Sequence, residues 1–134
     1  MDLAKYRALF LEEAAEHLAE MSRACLELEK DPANGEAIDL AFRMAHSIKG
    51  MAAALDYDSV TQVAHRLEDR MAVWRAQGRV DVPEGMRLLF RGLEGLERMV
   101  GGVRATGANP PADGVLLAEL ATSSAAEGGD QKKA

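Results

Sequence analysis

The chain has 134 residues, 48% of them hydrophobic but only 4% aromatic, and carries a formal net charge of −6. That length suits one domain with a modest core, and apolar content drawn from Leu, Ala, Val and Met suits packed helices better than sheets. Mixed charges without a basic block argue against nucleic-acid binding and against adhesion to anionic membranes. No apolar run approaches a bilayer span, and the opening MDLAKYRALFLEEAAEHL lacks a signal-peptide layout.

The first helix is predicted from Asp2 to about Lys30, where Leu3, Phe10, Ala14, His17, Met21 and Leu28 step by threes and fours. DPANG then breaks the pattern with Pro32 and Gly35. The second helix runs from about Gly35 to Leu55 with Asn34 as its N-cap, and its apolar stripe is Ile38, Ala41, Ala45, Ile48, Ala52 and Leu55. DYDS connects to a third helix, where Ser59 with Gln62 resembles a capping box and Asp58 is an alternative cap. Its stripe is Val60, Ala64, Leu67, Met71 and Trp74, and it ends near Gln77 with Gly78 as the C′ residue.

The fourth helix begins near DVPEG, with Pro83 in its first turn, and carries Val82, Met86, Leu89, Leu93, Leu96, Val100 and Val103. Gly85, Gly92 and Gly95 fall off that stripe and weaken the helix by about 1 kcal/mol each relative to alanine. Stripes of this period with short connections describe an all-α, antiparallel up-down four-helix bundle over residues 1–105. TGANPPA then reads as a linker over 106–112. GVLLAELA, capped by Asp113, forms a short fifth helix within 113–121, and 122–134 reads as a flexible tail or as the start of a linker to something beyond.

One stretch asks for more than packing. In FRMAHSIKGMAAAL, a histidine, a lysine and a glycine fall within one turn of the second helix. At 100° per residue His46 points away from the centre of the Ala41–Ala45–Ile48 stripe, so it is expected to be accessible. Lys49 at i+3 and Gly50 at i+4 share its face, and Phe42, Arg43 and Ala53 complete the patch. The third helix offers VAHRLED, in which His65 and Glu68 lie beside the core stripe. An antiparallel hairpin of the two helices would bring these two toward His46 and Lys49.

Such a set makes sense as a phosphoryl acceptor. A carboxylate or second imidazole that accepts the ring N–H bond fixes the tautomer, orients the ring and enriches the attacking nitrogen. An adjacent ammonium neutralises charge on the transferring group. The acceptor must stand on a convex face, because donor and recipient sites both have to reach it.

AFRMAHSIKGMAAALDYDSVTQVAHRLEDRM resembles the histidine-containing phosphotransfer (HPt) domain of CheA-type chemotaxis histidine kinases. In that family H-S-x-K-G stands on the acceptor helix and A-H-x-x-E on the next. FLEEAAEHLAEM is similar to the family's first helix, so the likeness covers roughly the first hundred residues. The resemblance implies that His46 is the phosphorylated residue, at Nε2, with Lys49 as neighbouring cation and Gly50 as the clearance residue. His65 and Glu68 would be the hydrogen-bonding partners. Phe42, Arg43, Gly50, Ala53 and Ala54 would lie on the docking face for a CheY-like response regulator. The resemblance also implies ATP as ultimate donor, used with Mg²⁺ by a kinase domain in cis or in trans, and Mg²⁺ on the regulator that receives the group.

The domain itself is expected to bind no cofactor, to have no ATP site, lacking any Gly-x-x-x-x-Gly-Lys loop, and to be a monomeric fragment of a protein-histidine kinase. A single cysteine, Cys25, without an internal partner fits a cytoplasmic location. Two other readings compete. One is a helical interaction domain that keeps the bundle without the chemistry. The other is a metal-binding bundle, disfavoured because di-metal bundles need Glu-x-x-His on two helices and the order here is His65-x-x-Glu68, once. His17 is read as structural, and Cys25, Trp74 and the methionines as core or core-edge residues.

Overall fold

The computed structural model describes residues 2–121; the expected tail at 122–134 lies outside them. Four long helices follow the apolar stripes: α1 (Leu3–Lys30), α2 (Gly35–Ala54), α3 (Asp58–Gln77) and α4 (Glu84–Thr106). A short α5 covers residues 114–121. α1 packs on α2 and α4, and α3 packs on the same two, so the four long helices close into a square ring. Their ends meet as an up-down bundle requires. Val80 N–H donates to Pro32 C=O at 2.9 Å, tying the α3–α4 connection to the α1–α2 connection. At the opposite end the segment after α4 reaches back to the start of α3.

Local chemistry sets most of the boundaries. Asp2 caps α1 by accepting from Lys5 N–H, and Asn34 caps α2 by accepting from Ala37 N–H, each at 3.1 Å. Gly78 ends α3 and Gly107 ends α4 in the left-handed conformation, with φ of 85° and 76°. α3 begins differently from either expectation. Asp58 is already helical and Tyr57 is the N-cap residue, with no side-chain capping bond. The orphan Ser59 N–H instead donates to Asn109 Oδ1 at 3.1 Å, across 50 positions of sequence.

The stripe of α3 is buried along its whole length, as are the central residues of α2. Val82, assigned to the α4 stripe, is exposed because it precedes the helix; Val80 fills the core there. The off-stripe glycines of α4 also carry a function that periodicity alone does not show. Gly85, Gly92 and Gly95 are buried. A Cβ on Gly92 would stand 2.9 Å from Leu67 Cδ1 of α3, and one on Gly95 would collide with Leu116 Cδ2 of α5. These glycines let α3 and α5 approach α4, so their propensity penalty is offset by packing. Asp113 caps α5 through Leu116 N–H at 3.0 Å, and Leu116 and Leu120 are buried beneath it. Arg87 and Arg91 reach Glu119 and Arg98 reaches Asp113, pinning the short helix to α4.

Candidate functional site

α2 and α3 form the seam that holds the odd stretch. The alanines of α2 at 41, 45 and 52 sit in the core, which leaves the ridge Phe42–His46–Lys49–Gly50 outside it. His46 projects from this ridge with 63% of its side chain exposed. Glu68, one residue from the α3 stripe, points into the seam, and its side chain is only 11% exposed.

The two helices meet through that carboxylate. His46 Nδ1 lies 2.5 Å from Glu68 Oε2, and Lys49 Nζ lies 2.6 Å from Glu68 Oε1. An ionised carboxylate is an acceptor only, so Nδ1 carries the proton and donates it, while the other oxygen is ion-paired with the ammonium. Burial pushes the Glu68 carboxyl up. The contacts and charges of Lys49 and His46 outweigh that, leaving it below the ordinary carboxylate range. Glu68 is therefore held as an anion. In the neutral ring the lone pair must then sit on Nε2, across an exposed imidazole from its anchor. That is the arrangement a nucleophilic nitrogen needs.

His65 does not join this group. Among the described residues it makes no hydrogen bond with His46. It stands 3.7 Å through Nε2 from Asp69 Oδ1, with both side chains more than half exposed. Three residues before Glu68, it is turned about 60° round the helix. That rotation carries it out of the seam to an open depression shared with Gln62, Arg66, Asp69 and Leu117 of α5. The expected pair of partners is thus a single one, Glu68.

The docking patch is laid out as follows. Gly50 is exposed, and beyond the adjoining backbone of its own helix and its two chain neighbours nothing lies within 4 Å of where a Cβ would stand. Ala53 and Ala54 are exposed, and Ala54 borders a groove of about 310 Å³ between α1 and α2 lined by Leu3, Tyr6, Leu9, Phe10 and Met51. Arg43 is exposed and its Nε donates to Asp39 Oδ2 at 2.9 Å. Phe42 is half-buried, and its ring is nearly parallel to that of His46, at 11° with centroids 6.5 Å apart.

Two side chains absent from the sequence reading support Phe42. Arg75 of α3 places its guanidinium 4.6 Å from the Phe42 ring centroid, and its Nε lies 3.6 Å from Asp39 Oδ1. A periodic signal existed, since Arg75 lies two turns beyond Glu68 on the same face of α3. Cys25 takes no part in the site. Burial, with smaller contributions from Glu97 and Glu29, pushes its thiol up to about 12. Among the described residues no group of three or more His, Cys, Asp or Glu side chains could hold a metal ion, and no helix is long and apolar enough to cross a membrane.

Comparison with known proteins places this geometry in a family. The chain is 38% identical over 103 residues to the chemotaxis protein CheA of Halobacterium salinarum, covering 76% of this chain and 15% of that protein. It is 37% identical over 100 residues to CheA of Listeria monocytogenes, covering 74% and 16%. It thus spans about one-sixth of the length of these relatives. Among solved structures, the CheA phosphotransferase domain from Thermotoga maritima superposes with a TM-score of 0.70 at 30% identity, covering 78% of this chain and 98% of that one. The phosphorylated P1 domain of CheA3, in complex with CheY6 from R. sphaeroides, shares the fold with a TM-score of 0.81 at 24% identity, over 89% and 94% of the two chains. The Hpt domain family model matches residues 5–106, most of the described bundle, and the chain belongs to that family.

Proposed function

We propose that the chain is the phosphotransfer module of a chemotaxis-type two-component pathway, with His46 as acceptor and donor. The observation that carries this reading is the contact between His46 Nδ1 and Glu68 Oε2 at 2.5 Å beneath an exposed ring. Nε2 attacks the γ-phosphorus of ATP held by a kinase domain. The Nε2–P bond forms, the P–O bond to ADP breaks, and positive charge spreads over the imidazole. Glu68 stabilises that charge through Nδ1–H without taking the proton away. Lys49, 27% exposed and one turn beyond His46 on α2, is the cation we assign to the incoming phosphoryl oxygens.

In the second half-reaction an aspartate oxygen of a CheY-like regulator attacks phosphorus. The N–P bond breaks and the electron pair returns to Nε2. The P1 domain of CheA3 is in complex with CheY6, and a regulator of that class is our proposal for this chain. It would approach over Gly50, Ala53 and Ala54, exposed residues whose own side chains are no larger than a methyl group. ATP and Mg²⁺ belong in this scheme to the kinase domain, and the recipient's Mg²⁺ to the regulator. The module acts as a cytoplasmic carrier, without ATPase activity of its own.

Incubation with a CheA-type kinase core, ATP and Mg²⁺ tests the reading. It predicts an acid-labile, base-stable label that His46→Gln abolishes and that a CheY-like regulator removes. A folded chain that acquires no label would instead be an interaction domain without chemistry.

A further inference from the structure

Glu68 alone leaves the acceptor ring under-determined. A hydrogen bond at Nδ1 pins one atom of a side chain that is otherwise mostly in solvent, and combined changes in its two side-chain torsions can still swing the ring plane about that point. The plane matters, because the Nε2 lone pair lies in it and must aim at phosphorus. A second restraint is present on the preceding turn of α2. The Phe42 ring lies nearly parallel to the imidazole, at 11° and 6.5 Å between centroids, within the range of offset aromatic pairs.

Phe42 is in turn held from α3. Arg75 lies over its ring at 4.6 Å, and Arg75 Nε is within ion-pair range of Asp39, one turn before Phe42 on α2, at 3.6 Å. Asp39 also binds Arg43, so its carboxylate is shared by one cation from each helix. The acceptor ring is thus tied to α3 twice. Glu68 ties it directly through Nδ1, and Arg75 ties it indirectly through the face of Phe42.

We infer that Phe42, held by Arg75, is a positioning residue that sets the plane of the His46 imidazole and hence the aim of Nε2. It touches neither the phosphoryl group nor its leaving group and acts only through the ring. This rests on His46 being the phosphoacceptor. It also separates two roles for Phe42, since a docking residue changes the encounter with a protein partner, whereas a positioning residue changes reactivity toward any donor.

A donor with no docking surface makes the distinction. Phosphoramidate transfers its phosphoryl group to an imidazole nitrogen. The Nε2–P bond forms, the P–NH₂ bond breaks, and the nitrogen leaves as ammonia after taking a proton from solvent. With phosphoramidate as donor, Phe42→Leu should label about 2- to 12-fold more slowly than wild type, the rate equivalent of one aromatic pair. Phe42→Tyr, which keeps the ring, should stay within about twofold of wild type. Arg75→Gln should show a smaller slowing in the same direction. With the kinase core and ATP, the loss in Phe42→Leu should appear in kcat, with KM for the domain unchanged.

Urea unfolding of each variant identifies any that fail to fold, and Arg75→Gln keeps the test decisive if Phe42→Leu does, since a phosphoramidate rate equal to wild type would then overturn the inference. Equal phosphoramidate rates for wild type and Phe42→Leu, or a loss confined to KM, would overturn the inference while leaving His46 as acceptor. Absence of label in wild type with either donor would instead remove the phosphotransfer reading itself.

Discussion

His46 and His65 stand on adjacent helices, are exposed to nearly the same degree, 63% and 59% of their side chains, and each has a carboxylate nearby. The carboxylates make the difference. Asp69 is on the same helix as His65, is 58% exposed, and lies 3.7 Å away, beyond hydrogen-bond distance. Glu68 reaches His46 from the neighbouring helix, is 11% exposed, and lies 2.5 Å away. An exposed pair on one helix is screened and mobile, so it fixes neither ring nor tautomer. A carboxylate walled into a helix seam and tied to Lys49 has nowhere else to go, and its oxygen commits Nδ1 to the proton. Exposure makes a histidine reachable; a buried partner prepares it to react.

Exchanging the two histidines for glutamine gives the largest contrast. His46→Gln should remove all label from the kinase reaction with little change in unfolding, since the ring is mostly in solvent; residual stable label would put the acceptor elsewhere. Truncation of the partner comes next. Glu68→Ala should slow labelling by at least about 10- to 100-fold, the range seen when the carboxylate that orients a metal-ligating imidazole is removed. Asp69→Ala should stay within about twofold, and comparable losses in the two variants would erase the distinction between the sites.

A pH series sharpens the comparison through stability. The Glu68 carboxyl titrates below the ordinary range in the folded chain. Its stabilising contribution is therefore complete above the unfolded-state value and is lost as pH falls through the lowered folded value. Urea unfolding of wild type and Glu68→Gln from about pH 7 to about pH 3 should show the gap between them narrow on acidification. A gap independent of pH would mean that Glu68 is not held as an anion. The smallest effect is expected from His65→Gln, within about twofold of wild type in labelling rate. A loss approaching that of Glu68→Ala would return His65 to the site.

Much of the fold was legible because it rests on periodicity. The α3 stripe and the central residues of α2 could be placed from their spacing alone, and Asn34 caps α2 because an Asx side chain ahead of an apolar stripe has few other uses. What the sequence withheld depends on contacts across the bundle. Asn109 caps α3 from 50 positions away, and no local pattern announces it. Gly92 and Gly95 look like weak points in α4 until Leu67 and Leu116 are seen to fill the space they leave.

The proposed acceptor His46 and its neighbour Lys49 were legible as a pair because they share one helical turn. Glu68 and His65 were not separable, since H-x-x-E places both beside the core stripe and only the pairing of α2 with α3 decides which one faces the seam. Arg75 over Phe42 was missed for the same reason: its spacing fitted, but an arginine at that spacing on an exposed ridge is ordinarily a solvated charge.

The most direct test of the central claim is a long-range ¹H–¹⁵N correlation spectrum of the histidine side chains in the neutral-ring state. The account predicts that His46 is protonated at Nδ1 and bare at Nε2, that Glu68→Ala erases this preference, and that His65 shows no comparable fixation. A His46 ring protonated at Nε2, or one indistinguishable from His65, would contradict it.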